Sequence, residues 1–335
     1  MLAFIMNKSE VQKERIRMST ENKHTITDLS QMQSLPLDIK VRMTMTRIKG
    51  WVNEYGEDGV YISFSGGKDS TVLMDIIRNE MGLDIPAVFV DVPTQFPELK
   101  EFSKTFDNIE IIKPTMSFMQ VCETYGFPLM SKDVARQVSD VRKHGTNCYA
   151  YRLFDGSMNE SWYNKERYKF LINAPFDISN KCCHYFKKEP LHKYTKSTGR
   201  KPITAQMAEE STQRKIQWIK NGCNGFDMKA PISNPMSFWT EQDVLKYIKN
   251  KNIKICSVYG NVVDDGDKLK TTGCDRTGCM LCGFGCQQKK DDRFLQLKKS
   301  HPKMYGLLDI IKNNGMTFRE AIEWTNEHGN FNIKL

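Results

Sequence analysis

The chain has 335 residues, 39% of them hydrophobic and 27% charged, enough to bury a large core without disulfide staples. Its mean hydropathy of −0.53, with no run near the roughly 18 apolar residues of a membrane span, excludes an integral membrane protein, and the apolar fraction argues against wholesale disorder. Lysine and arginine number 49 against 40 aspartates and glutamates, a formal charge of +9 that suits an anionic partner, either a polyphosphate nucleotide or a nucleic acid.

Residues 1–35 are polar, glycine-free and rich in Lys, Glu, Gln and Thr, and read as a flexible or helical arm. The apolar start, Met1 to Met6, is shorter than the roughly 7–15-residue core of a signal peptide, so the protein is expected in the cytoplasm. Leu37, Ile39, Val41, Met45 and Ile48 predict a helix that Gly50 ends. Gly59 to Phe64 reads as a buried strand, followed by a turn at Ser65-Gly66-Gly67 and a helix carrying Val72, Leu73, Ile76 and Ile77. Ala87 to Asp91, Ile109 to Ile112 and Pro202 to Ala205 give further short buried strands. Strands alternating with helices indicate an α/β fold, a parallel sheet flanked by helices.

A basic, aromatic stretch at about 131–175 reads as an insertion into this 36–235 α/β domain. It sets Arg136, Arg142, Lys143, Arg152 and Arg167 among Tyr149, Tyr151, Trp162 and Tyr163. Aromatics interleaved with cations could stack on bases, or the stretch could be a helical cap with a solvated basic face. Residues 236–335 read as a helical, cysteine-rich C-terminal region. Thr240-Glu241-Gln242-Asp243 forms a capping box that opens a helix there.

The strongest single feature is Ser65-Gly66-Gly67-Lys68-Asp69-Ser70 between a strand and a helix. Two glycines let the backbone approach a ligand closely, and the helix start favours phosphate. Lys68 adds a cation, and Ser65 and Ser70 add hydroxyl donors. The spacing is not that of G-x-x-x-x-G-K-[ST]. Asp91, at a strand's carboxyl end, stands where ligands of open α/β sheets bind.

The second constellation is cysteine. Cys182 and Cys183 are adjacent and suggest ligands or reactive thiols. Cys274, Cys279, Cys282 and Cys286 make a C-x4-C-x2-C-x3-C run threaded with glycines. In a reducing compartment such a run binds metal more often than it pairs. Its spacing suits a [4Fe-4S] cluster, and zinc would also accept four thiolates. Cys122, Cys148, Cys223 and Cys256 stand alone and read as buried hydrophobes.

The hexapeptide matches the SGGxDS signature of the PP-loop, or adenine-nucleotide α-hydrolase, superfamily. Val88 to Asp91 with Phe96-Pro97-Glu98, Lys181-Cys182-Cys183 with Pro190-Leu191, and Glu210-Ser211-x-x-Arg214 follow in order. Trp239-Thr240 with Asp243-Val244, Ser257 to Gly260, and Gly278-Cys279-x-x-Cys282 complete the series. Together they resemble the phosphoadenosine phosphosulfate (PAPS) reductase branch, especially the PAPS-reductase-like proteins of phages and mobile elements. The resemblance implies a Rossmann-like adenine-nucleotide α-hydrolase fold. It also implies nucleotide binding by Ser65, Gly66, Gly67, Lys68, Asp69, Ser70, Asp91 and Arg214, with Mg²⁺ accompanying a polyphosphate.

Two departures bear on the reaction. Val92-Pro93 replaces the family's Thr-Gly, and no cysteine follows Cys286, so the C-terminal nucleophilic cysteine of assimilatory reductases is missing. The complete SGGKDS loop suits ATP. The sequence therefore points first to an ATP-dependent adenylating sulfurtransferase with Lys68, Asp69, Cys182 and Cys183 as catalytic residues and Cys274, Cys279, Cys282 and Cys286 on the metal. Its acceptor would be DNA or tRNA, and its sulfur would come from a donor such as a cysteine desulfurase. The alternative is a PAPS or APS reductase fed by a thiol reductant, with Cys182, Cys183, Cys279 and Cys282 on the cluster and Cys274 or Cys286 as nucleophile. A zinc-stabilised nucleotide- and nucleic-acid-binding module is the third reading.

Overall fold

The computed structural model describes residues 22–157 and 164–335; most of the expected N-terminal arm, with Trp162 and Tyr163, lies outside the described residues. The chain divides into two compact units. The first comprises Met1–Val90, Pro97–Ile112 and His192–Thr277; the second comprises Asp91–Phe96, Lys113–Leu191 and Gly278–Leu335.

The strands, in chain order, are β1 (Val60–Phe64), β2 (Ala87–Val90), β3 (Ile109–Ile112), β4 (Leu129–Met130), β5 (Lys201–Ile203), β6 (Asn224–Gly225), β7 (Ile232–Ser233), β8 (Val262–Asp265), β9 (Lys268–Thr271), β10 (Gly283–Phe284), β11 (Lys312–Asn313) and β12 (Met316–Thr317). Six of them form the sheet of the first unit in the order β3-β2-β1-β5-β7-β6. All its pairings are parallel except β6 with β7. The α/β reading from sequence is borne out.

Chain order runs outward from β1 in both directions, to β2 and β3 on one side and to β5 and β7 on the other. The carboxyl end of β1 is therefore the topological switch point, where open α/β sheets bind ligands. The Ser65–Ser70 loop leaves β1 at that end. Ile62, Val72, Leu73, Ile76, Ile77, Val88 and Phe89 are fully buried, as their spacing predicts. The helix Lys68–Asp75 continues into a π-helical turn at Ile76–Glu80.

Two local expectations need correction. Gly50 does not end its helix, which spans Leu37–Tyr55 and stops at Gly56. One interior glycine costs only about 1 kcal/mol, and Ile48 and Trp51 on either side of it are fully buried. β3 is an edge strand and not a buried one; Ile111 is 36% exposed, and the charged Glu110 suits an unpaired edge.

The capping box is as read from sequence. Thr240 caps the helix Glu241–Lys251 and Asp243 answers it. Asp243 Oδ2 also accepts from the buried Lys40 at 2.6 Å, which ties this helix to Leu37–Tyr55.

The second unit is mostly helical, with small β4–β10 and β11–β12 pairings. Its core stacks Phe127 on Phe318 at 4.7 Å. The basic stretch supplies the helix Lys132–His144 and short 3-10 turns at Tyr149–Leu153 and Glu166–Asn173. Arg142 serves the fold. Its guanidinium donates to the carbonyls of Leu171, Ile172, Ala174 and Phe176 and to Asp177, so it holds the end of Glu166–Asn173. Arg136 pairs with Asp133 at 3.3 Å. Lys143, Arg152 and Arg167 are exposed. Among the described residues no helix is long and apolar enough to cross a membrane.

Candidate functional site

The loop after β1 is built for close approach. Gly66 has φ +73°, and a Cβ there would lie 3.2 Å from Leu99 O, so conformation and contact both require glycine. Ser65 Oγ meets Ser70 Oγ at 3.0 Å and accepts from Gly67 N at 3.3 Å, while Ser70 Oγ donates to Gly67 O at 2.9 Å. The two serines thus shape the turn in addition to facing a ligand. Only Ser65 is exposed; Ser70 is buried.

Lys68 is 3% exposed. Its ammonium donates to Asp275 O at 2.9 Å and pairs with Glu241 at 3.2 Å and Asp69 at 3.8 Å. It also stands 5.5 Å from the centroid of the Tyr259 ring. Asp69 Oδ1 is enclosed and takes no hydrogen bond. Burial pushes this carboxyl upward, opposed by Lys68, Arg276 and Arg214 and reinforced by Glu241.

Arg214 sits in the first turn of the helix Thr212–Asn221, capped by Ser211. It bridges to Glu210, so the Glu-Ser-x-x-Arg element is one local unit. Burial lowers its guanidinium's pKa, and neighbouring Arg276 lowers it further. Tyr259 is pushed up to about 12 by burial, so its phenol stays neutral, and its hydroxyl meets Thr277 Oγ1 at 2.8 Å.

The upward shift of Asp69 has a stability consequence. A carboxyl with a raised folded-state pKa holds its proton more tightly folded than unfolded, so the folded state loses ground as pH climbs past the ordinary 3.8 and through the raised value. In the nucleotide-free protein, Asp69→Asn is therefore expected to be at least as stable as wild type at neutral pH. That advantage should shrink toward acid. Urea unfolding across pH measures it; a variant clearly less stable at neutral pH would refute the assignment.

The run from Cys274 to Cys286 is divided between the two units. Cys274 belongs to the first unit, and burial, then Asp275 and Glu98, raise its thiol. In the second unit Cys182 and Cys183 share a hydrogen bond that drives Cys182 up and holds Cys183 down to about 5, with Lys132 and Lys187 also favouring the Cys183 thiolate. Cys279 and Cys282 act electrostatically on Cys182, and Cys183 acts on Cys282. Cys182 is thus within electrostatic reach of the other three thiols.

Cys286 is buried beside Cys282, but its Sγ donates to Gly283 O at 2.8 Å, and burial raises it to about 12. The loop is held by β4: Gly285 N donates to Met130 O at 2.6 Å, and Arg293 donates to the carbonyls of Cys282 and Phe284. Met130 itself adopts φ +68°, a strained conformation for a side chain of its size. Four neighbouring thiols are the right chemistry for zinc or an iron–sulfur cluster. As placed, however, no three His, Cys, Asp or Glu side chains among the described residues form a ready metal cage.

The sequence profile of the phosphoadenosine phosphosulfate reductase domain matches residues 59–152 and 133–283, well over half of the chain. The chain belongs to the phosphoadenosine phosphosulfate reductase domain family. The match spans β1 with its loop, Arg214, and the Cys182–Cys183 and Cys279–Cys282 pairs. Among solved structures the family member is similar to NMN synthetase from Francisella tularensis, at 12% identity over 89% of this chain and 94% of that one, with a TM-score of 0.37. A likeness at that score fixes neither fold detail nor substrate. No curated protein matches significantly.

Within this family member, the structure adds residues that the sequence reading passed over. Arg276, Glu241 and Tyr259 join Lys68, Asp69 and Arg214 in the first unit, and Lys132 and Lys187 flank Cys183 in the second. Glu241 was visible only as part of a capping box, and Arg276 only as a residue between cysteines. Asp91 follows β2 directly in the chain and is half-buried, in the second unit. Of the lone cysteines, Cys122, Cys223 and Cys256 are buried and Cys148 is half-buried.

Proposed function

We propose that the chain is an adenine-nucleotide enzyme that acts at the α-phosphate of ATP. An acceptor oxygen attacks that phosphorus, pyrophosphate leaves, and a sulfur nucleophile then breaks the acceptor's C–O bond and releases AMP. The observation that carries this reading is Lys68: an ammonium 3% exposed, at the start of a helix on the sheet's switch point, within reach of an enclosed carboxylate oxygen of Asp69. Buried cations of this kind neutralise charge that develops on phosphate oxygens, at little reorganisation cost. Mg²⁺ would enter with the nucleotide, and Asp69, whose Oδ1 takes no hydrogen bond, would help to hold it and neutralise phosphate charge. Ser65, Gly66, Gly67 and Ser70 position the phosphates, and DNA or tRNA is the acceptor class that the +9 charge favours.

A second reading, reduction of PAPS or APS to sulfite, is favoured by one specific observation, the grouping of Cys182 and Cys183 with Cys279 and Cys282. If these four hold a metal, Cys182 and Cys183 are not free sulfur carriers, and Cys274 and Cys286 remain as candidate nucleophiles.

The test offers anaerobically purified protein ATP–Mg²⁺ and PAPS separately and resolves the products by chromatography. AMP and pyrophosphate from ATP, with or without tRNA or DNA, support the adenylating reading. Sulfite and adenosine 3′,5′-bisphosphate from PAPS and a thiol reductant overturn it in favour of the second.

A further inference from the structure

Arg276 is held beside the phosphate loop by contacts on both sides of it in sequence. Asp275 O accepts from Lys68 Nζ at 2.9 Å, and Thr277 Oγ1 meets Tyr259 OH at 2.8 Å. A Cβ added to Gly67 would lie 3.2 Å from that tyrosine hydroxyl and 3.7 Å from Thr277 Oγ1. The segment leading to Arg276 is equally fixed. Gly273 N donates to Tyr259 O at 2.9 Å and Cys274 N to Val258 O at 2.8 Å. The approach at Gly273 is so close that a Cβ would fall 2.3 Å from Val258 O. The backbone that presents this arginine is therefore rigid.

The guanidinium itself is uncommitted. Arg276 is exposed and makes no hydrogen bond or close ion pair with any other described residue. Arg276 acts electrostatically on Asp69 and on Arg214, so two guanidinium groups bear on one carboxylate. Arg214 already bridges to Glu210. Lys68 is paired with Glu241 and Asp69, which leaves Arg276 as the cation of this group with no carboxylate in contact with it among the described residues. Arg276 disfavours the charge on Arg214, a repulsion that an entering anion relieves, and guanidinium forks suit phosphate oxygens in particular.

We propose that Arg276, together with Arg214, forms a paired-guanidinium seat for the terminal phosphates of a nucleoside triphosphate, the part of the substrate that leaves as pyrophosphate. This rests on the reading of the Ser65–Ser70 loop as a nucleotide site and adds to it a basis for choosing triphosphate over monophosphate.

The experiment is titration calorimetry of the full chain with ATP–Mg²⁺ and with AMP, on wild type, Arg276→Ala and Arg276→Lys. Loss of a charge-assisted hydrogen bond should weaken ATP by at least about tenfold. AMP affinity should be unchanged, and the lysine variant should fall between. Because Arg276 is exposed and unbonded, unchanged AMP binding also serves as the folding control. ATP binding unaltered in Arg276→Ala overturns the assignment, as does equal weakening of ATP and AMP. A wild type that binds ATP no tighter than AMP overturns the seat but leaves the nucleotide site standing. A wild type that binds neither overturns both.

Discussion

Lys68→Ala is expected to lower the rate of pyrophosphate release from ATP by about 10²–10³-fold, the usual loss when one preorganised charge donor is removed from a reacting centre. The effect should fall mainly on kcat, because an interaction that strengthens as charge develops on the phosphate acts on the transition state more than on binding. In the nucleotide-free protein the ammonium already has partners: Asp275 O, Glu241 and Asp69. A bound phosphate must therefore compete with Glu241 for the same cation.

That competition gives the variant a companion of opposite sign. Glu241 is 39% exposed in its side chain, so its bridge to Lys68 is partly solvated and worth no more than about 1 kcal/mol. Glu241→Gln should then tighten ATP by a few-fold, while Lys68→Ala weakens catalysis. Steady-state assays of pyrophosphate release check the first, and equilibrium binding checks the second. A Lys68→Ala enzyme with wild-type kcat would remove Lys68 from the reaction.

How much of this was legible in sequence depended on the distance over which each feature is encoded. β1, the loop and the following helix are local: an apolar run, two glycines and a 3.6-residue period, all within twenty-odd residues. The capping box at Thr240–Asp243 is local too, and it forms as its spacing requires. The misjudged helix at Gly50 shows tertiary burial overriding local propensity, because Trp51 packs against Phe226 from a distant part of the chain.

Arg142 carries the same lesson for charge. In sequence it is one of several cations among aromatics; in the fold its donors are spent on four carbonyls and Asp177. Arg214 could be named from its motif, but Arg276 could not. Its role depends on the Asp275 and Thr277 contacts, which bring the far end of the first unit's chain back to β1. The cysteines were legible as a set of candidate ligands, but the spacing of Cys274 to Cys286 says nothing about Cys182.

Metal content provides the other large effect, because ligand loss from a thiolate site is close to all-or-none. Protein purified anaerobically is expected to carry metal that Cys182→Ser, Cys183→Ser, Cys279→Ser and Cys282→Ser each abolish or largely abolish. Cys274→Ser should keep it. Burial, and then the negative charge of Asp275 and Glu98, opposes the ionisation of that thiol. Cys286→Ser should keep it as well. Its sulfur is spent as a donor to Gly283 O, and a serine hydroxyl can make the same bond.

The physical basis for the four-thiol set is mutual electrostatic reach, joined to the thiolate character that Lys132 and Lys187 give Cys183. Iron and acid-labile sulfide would identify a cluster, and zinc with no visible absorption would identify a structural ion. The opposite pattern, metal lost in Cys274→Ser and Cys286→Ser but kept in Cys182→Ser and Cys183→Ser, would restore the linear run as the ligand set. It would also return Cys182 and Cys183 to the role of sulfur carriers, so the same variants decide which thiols the reaction has left to use.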